Sequence, residues 1–132
     1  MLQQRKKDFL QRLIEEFFKK LQVLLEKKGN DSQSIDEKKS VLSDCFLFFN
    51  KNFEVKETDE VKVLSEKIAD NDLIEQYARL YKIEYDLGIA KDKESLRKAL
   101  NIVEYLQNTD STYSWDRTVL KEDLLRLLDE SI

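Results

Sequence analysis

The fourth amphipathic segment of the chain, residues 73–87, reads LIEQYARLYKIEYDL. Its apolar and aromatic residues recur at intervals of three and four, the spacing that places side chains on one side of an α-helix. They extend further around the helix than a surface stripe does, which predicts a central and largely covered helix. Gly88 follows directly and is predicted to end this helix in the left-handed conformation.

Helical spacing recurs along the rest of the chain and predicts five further helices. The longest is the N-terminal helix, predicted over residues 2–28. Ser34 and Glu37 read as a capping box that starts the second helix. Later helices are predicted to begin near residues 58–60, 73, 92 and 114–116. Because short helices bury their apolar stripes by packing together, we predict an all-α fold of six helices, stacked as antiparallel hairpins in one domain, residues 1–132.

Composition excludes several kinds of chemistry. The 132 residues include no histidine, no proline, two glycines and one cysteine. Without histidine there is no Ser-His-Asp or Cys-His catalysis, and two distant glycines build no phosphate-binding loop. Paired carboxylates occur at many helix ends, where the helix dipole explains them, so they indicate no metal site. We therefore predict a protein that is not an enzyme and has no cofactor or metal.

Charge and hydropathy bear on location and partners. The net charge of −4 gives no basic excess, so no nucleic-acid partner is predicted. No segment approaches the roughly 20 apolar residues of a membrane span. Cys45 lies in the apolar run Cys45–Phe49 and is predicted to be a buried core residue in a reducing, cytoplasmic protein.

The N-terminal helix carries an unusual charge. Residues 1–28 contain eight basic and four acidic side chains, which gives this segment +4 against −8 for the rest of the chain. Its apolar stripe is wide and includes Phe17 and Phe18. Three interpretations stay open: a core helix with a solvated charged face, a helix that binds a partner or a second copy, and a helix that lies on an anionic membrane surface.

Aromatic residues supply two further candidates for partner binding. Tyr77, Tyr81 and Tyr85 are four residues apart and share one side of their helix. They form either a recognition groove with outward hydroxyls, rimmed by Arg79 and Lys82, or a core stripe. Trp115 stands at the start of the last helix, as part of a hydrophobic staple or as an exposed anchor.

The stretch from Ile74 to Leu106 resembles one tetratricopeptide-type helix pair, over about residues 73–107. The resemblance is carried by Leu87-Gly88 at the end of the first helix and by Ala99-Leu100 in the second. The opening residues 4–16 also resemble the first helix of small bacterial tetratricopeptide-like proteins that have no assigned activity. The resemblance implies a right-handed stack of three hairpins whose concave face binds peptides or partner proteins.

The sequence thus favours a non-catalytic helical module that binds a protein partner through a helical groove or associates with itself. The candidate contact residues are Tyr77, Tyr81, Tyr85, Phe17, Phe18 and Trp115. Two alternatives are a small-molecule binder that uses a tyrosine-lined cavity and a peripheral membrane protein attached by its N-terminal helix.

Overall fold

Helices joined by short loops make up the fold. The computed structural model describes residues 8, 9, 12–16, 18–20, 22, 23, 32–89, 93–112 and 114–129. Across these ranges the regular secondary structure is helical and contains no strand, which confirms the predicted all-α class. Stacking of the helices as in tetratricopeptide repeats stays a prediction.

Five helices have defined bounds: α1 (Ser32–Phe53), α2 (Val61–Ile68), α3 (Asn71–Asp86), α4 (Glu94–Thr109) and α5 (Trp115–Asp129). The described residues between 8 and 23 are also helical and agree with the predicted N-terminal helix. Both ends of that predicted helix, 2–28, lie outside the described residues. The predicted capping box at Ser34 is wrong, because α1 already begins at Ser32 and Ser34 lies inside the helix.

The chain divides into two compact units. Unit 1 is Met1–Glu54 and unit 2 is Val55–Ile132. Unit 1 contains the N-terminal helical residues and α1, whereas unit 2 contains α2 to α5. A single domain over residues 1–132 stays a prediction, and the two units are described in turn.

Helix α1 supplies most of the buried apolar residues described in unit 1. Leu42, Cys45 and Phe49 are almost completely buried, which confirms the prediction for Cys45. Phe48 and Phe49 meet edge to face, with ring centroids 5.7 Å apart. Burial, reinforced by the charge of Asp44, raises the pKa of the Cys45 thiol to about 12, so the thiol stays protonated and acts as a small apolar core residue.

Helices α3 and α4 form the centre of unit 2. The buried residues of α3 include Leu73, Ile74, Ala78 and Leu80, as the wide apolar surface of this segment predicts. Helix α3 packs mainly against α4, which packs in turn against α5, while the short α2 contacts both α3 and α4. The core of this unit therefore lies along α3 and α4.

The predicted glycine stop of α3 is confirmed, whereas the helix begins at Asn71, two residues before the predicted start near residue 73. The Asp70 side chain accepts a hydrogen bond from the Leu73 amide at 3.1 Å, so it caps the N-terminus. At the other end Gly88 adopts φ 74°, a left-handed conformation that a residue without Cβ adopts at least cost. Its amide donates to the carbonyl of Tyr85 and closes the last turn.

A buried charge network joins three elements of unit 2. The Arg117 side chain on α5 is 4% exposed, and its Nε donates to Oε1 of Glu75 on α3 at 2.8 Å. Its Nη1 donates to Oδ2 of Asp110, the residue that ends α4, at 3.2 Å. Sequence reasoning assigned no role to Arg117, because a single arginine among many charged residues carries no pattern.

Candidate binding sites

A cavity of about 270 Å³ opens in unit 2, where the loop before α2 meets α3 and α4. Its floor is apolar and consists of Leu64, Tyr81 and Ile102, all buried. Around the floor stand charged and polar side chains from the loop and from α4: Lys56, Glu57, Asp59, Glu60, Lys98 and Asn101. Small-molecule sites combine apolar lining with polar groups that fix the ligand's orientation, and this cavity contains both kinds of residue, with the charged and polar ones in the majority.

The tyrosines of α3 are only partly arranged as predicted. Tyr77 and Tyr81 are both buried, their hydroxyls share a hydrogen bond of 2.9 Å, and their rings meet edge to face. The predicted groove with outward hydroxyls is therefore not what these two residues form. Tyr81 lines the cavity instead, whereas Tyr85 is half-buried and is not among the described lining residues.

Burial also decides the chemistry available to this pair. It raises the pKa of both phenols, and for Tyr81 the hydrogen bond with Tyr77 adds to the effect. Both phenols therefore stay neutral at physiological pH. Tyr81 offers the cavity an aromatic surface rather than a base or a nucleophile.

Lys98 is placed over this aromatic surface. Its Nζ lies 5.4 Å from the centroid of the Tyr81 ring, within the range of a cation–π contact. The same ammonium donates to the Glu57 carbonyl at 3.3 Å and lies 3.7 Å from Glu57 Oε1. These contacts are long for charge-assisted bonds, so the ammonium retains donor capacity toward the cavity.

Asp59 fixes the loop that forms one wall of the cavity. Its Oδ2 accepts from the Lys56 amide at 2.8 Å and from Lys67 Nζ at 2.7 Å. The backbone hydrogen bond from Lys56, followed by that from Lys67, lowers the pKa of the carboxyl. Asp59 is therefore an ionised structural group whose charge is balanced by Lys67.

Unit 1 contains a second concave feature, an open groove of about 710 Å³. One wall comes from the N-terminal helical residues and the other from α1. The groove is lined by Glu16, Lys19, Lys20, Val23, Glu37, Ser40, Val41 and Asp44. Val41 is buried at its floor, whereas Val23 is 54% exposed.

The remaining predicted contact residues are Phe17, Phe18 and Trp115. Phe17 lies outside the described residues, and Phe18 is partly exposed but is not among the described residues that line the groove. Trp115 is 66% exposed at the start of α5, which leaves its indole accessible as an anchor. Arg79 and Lys82 are engaged with Glu75 and Asp86 rather than with the cavity.

The chain matches no known protein family, no curated protein and no solved structure. The tetratricopeptide resemblance therefore stays a prediction. Within the ranges given above, no group of three or more carboxylates and thiols is placed to hold a metal ion. No helix in the described part of the chain has the length and hydropathy to cross a bilayer.

Sequence reasoning found Tyr81 but missed its neighbours in the cavity. Lys98, Asn101 and Glu57 come from a loop and from a different helix, and each looks like an ordinary surface residue in the sequence. The groove residues, in contrast, share a periodicity that is visible in the sequence. Positions 16, 19, 20 and 23 share one helix face, as do positions 37, 40, 41 and 44.

Acid should weaken unit 2 through Asp110. The Thr112 amide donates to its carboxylate, Arg117 does so as well, and these bonds lower its pKa, the first being the larger cause. A carboxyl with a lowered folded-state pKa contributes stability above its unfolded pKa of about 3.9 and loses it as pH falls through the folded value. We expect the difference in free energy of unfolding between wild type and Asp110→Asn, measured by urea titration, to shrink as pH falls from 5 to 3. A difference that stays constant over this range would contradict the prediction.

Proposed function

We propose that the protein is a non-catalytic interaction module that binds an amphipathic helix of a partner protein in the groove of unit 1. The groove itself is the observation that carries the proposal. Grooves between two helices accept a third helix, because the side chains of that helix fit between the rows of the other two.

The spacing of the lining residues supports a helical occupant. The N-terminal wall supplies positions 16, 19, 20 and 23, and α1 supplies positions 37, 40, 41 and 44. Both sets follow the i, i+3, i+4, i+7 pattern, so each wall is a row of side chains along one helix face. Two such rows match the ridges of an incoming helix over about two turns.

The net charges of the two walls are opposite. The N-terminal wall carries Lys19 and Lys20 together with Glu16, whereas the charged residues on the α1 wall are Glu37 and Asp44. Among the described residues, no ion pair joins either lysine to either carboxylate. The groove therefore selects a helix with acidic residues along one edge of its apolar face and basic residues along the other.

The apolar part of the groove supplies affinity. Val23 is exposed although it is a large aliphatic residue, and Val41 lies at the floor. An apolar row of the partner helix would cover Val23, and each square ångström of apolar surface removed from water contributes roughly 25 cal/mol. The walls then determine orientation and specificity, and the valines contribute binding free energy.

Site-specific photo-crosslinking tests the proposal. A photoreactive residue replaces Ser40, a groove residue on α1, and the crosslinked peptide is identified by mass spectrometry after exposure to lysate. We expect a peptide with an amphipathic helical pattern from another protein. The double reversal Lys19→Glu and Lys20→Glu should abolish the crosslink, because it repels the acidic edge of that helix.

Lys39→Glu is the matched control. Lys39 is exposed on α1 but is not among the described groove residues, so its reversal should leave the crosslink unchanged. Loss of the crosslink in Lys39→Glu, or its persistence in the double reversal, would contradict the proposal. A crosslink to a peptide of this same chain would replace the partner protein by a second copy and overturn the proposal.

A further inference from the structure

We infer that the cavity of unit 2 binds a free α-amino acid with an apolar side chain. The inference is independent of the groove in unit 1, because it rests on different residues in the other unit. Four features of the cavity carry it: its volume, its floor, the positions of its unlike charges and their balance.

The volume selects a small ligand. Sites for drug-sized ligands have volumes of roughly 300–1,000 Å³, and this cavity has about 270 Å³. A dinucleotide cofactor would extend beyond that space. A single amino acid with a branched or aromatic side chain suits it.

The floor selects an apolar body. Leu64, Tyr81 and Ile102 are all buried and come from three different helices. Together with the half-buried Val61 they leave a small apolar surface at the base of the cavity, from which part of a leucine or phenylalanine side chain would displace water.

One end of the cavity presents a cation and an anion side by side. The Lys98 ammonium and the Glu57 carboxylate are 3.7 Å apart, which is too far for a strong hydrogen bond. The Glu57 side chain is 80% exposed, and Lys98 has three donors but one long hydrogen bond, to the Glu57 carbonyl. The α-carboxylate of a bound amino acid would accept a hydrogen bond from Lys98, and its α-ammonium would donate one to Glu57. Each charged side chain would then have a close partner of opposite charge.

The overall charge balance favours a zwitterion over a simple ion. Asp59 is matched by Lys67 outside the lining. The other charged lining residues are Lys56, Lys98, Glu57 and Glu60, two of each sign. A wall with equal numbers of both signs has no net attraction for an anion or a cation, whereas it matches a molecule that carries one charge of each sign.

Three related probes separate these contributions. Chemical-shift titrations of the ¹⁵N-labelled full chain use L-phenylalanine, 3-phenylpropanoate, which lacks the ammonium, and phenethylamine, which lacks the carboxylate. We expect saturable shifts around Tyr81, Lys98 and Asn101 with L-phenylalanine and at least tenfold weaker binding of the other two. L-Leucine should bind at the same residues.

Variants at the cavity wall provide the second arm. Lys98→Met should weaken phenylalanine binding at least tenfold, because it removes the cation that meets the carboxylate. Arg97→Met is the matched control, since Arg97 is exposed on the same helix, pairs with Glu94 and is not among the described lining residues. Asn101→Trp places a large side chain at the exposed mouth and should block binding while the amide spectrum stays folded.

Several results would overturn the inference. One is the absence of saturable shifts around the cavity at millimolar phenylalanine or leucine. Another is equal binding of phenylalanine and either single-charge probe, which would show that the cavity does not select a zwitterion. Unchanged affinity in Lys98→Met or in folded Asn101→Trp would place the ligand elsewhere. None of these results affects the crosslink from Ser40, so the two proposals fail separately.

Discussion

Replacing Arg117 with alanine is expected to lower the free energy of unfolding by about 3 kcal/mol, the lower end of the range for breaking a buried ion pair, because Glu75 loses this partner and keeps its longer contact with Arg79 at 3.8 Å. The Glu75 side chain is 11% exposed and takes the Arg117 Nε–H at 2.8 Å. Asp110 loses a donor at the same time. Urea unfolding of the full chain, followed by circular dichroism, measures the change.

Two controls separate charge burial from the loss of any arginine. Arg97→Ala removes an exposed arginine of α4 and should change stability by less than about 0.5 kcal/mol. Arg117→Met combined with Glu75→Leu replaces the pair by apolar residues and should recover most of the loss, since buried pairs are often no better than apolar packing. If Arg117→Ala and Arg97→Ala lowered the free energy of unfolding by equal amounts, the buried network would contribute nothing beyond an exposed ion pair.

The second large effect is expected at Leu106. This residue is fully buried on α4, the helix that packs against both α3 and α5. Truncation to alanine removes buried methyl groups and leaves a cavity that the surrounding helices fill only in part, so we expect a loss of about 2–5 kcal/mol. Differential scanning calorimetry and urea unfolding both measure it.

Leu125→Ala is the matched control for Leu106→Ala. Leu125 is 42% exposed on α5, so the same truncation removes little buried surface and should cost less than about 1 kcal/mol. Similar losses at the two positions would mean that α4 is not at the centre of the core. The pair of variants therefore tests the packing order of unit 2 directly.

The helices of unit 2 were predictable because their signals are local. Asp70 stands three residues before an amide that needs an acceptor, and Gly88 stands where the chain turns left-handed. Both effects act over one helical turn, so the sequence contains all the information. The start of α1 was misplaced because several polar residues in a row offer alternative caps, and Ser34 was the wrong choice.

The candidate sites were less predictable. The tyrosine spacing indicated that Tyr77 and Tyr81 share a side of α3, but the same spacing fits a core stripe and a binding groove. The packing of neighbouring helices around α3 decided between them, because both tyrosines are buried with their hydroxyls bonded to each other, and Tyr81 lies in the floor of the cavity. For Trp115 the outcome is the opposite of that for the tyrosines: the residue could have packed as a hydrophobic staple, but it is exposed.

The sequence by itself determined the all-α class, the buried Cys45 and the C-terminal end of α3, because periodicity and the conformational freedom of glycine depend on neighbours along the chain. Only the tertiary structure decided where Arg117 meets Glu75 and Asp110, and where Lys98 stands over Tyr81. These residues are separated by 7 to 42 positions in the chain for the arginine and by 17 for the lysine. Their encounters depend on how α3, α4 and α5 pack, a property of three-dimensional shape that no local pattern encodes.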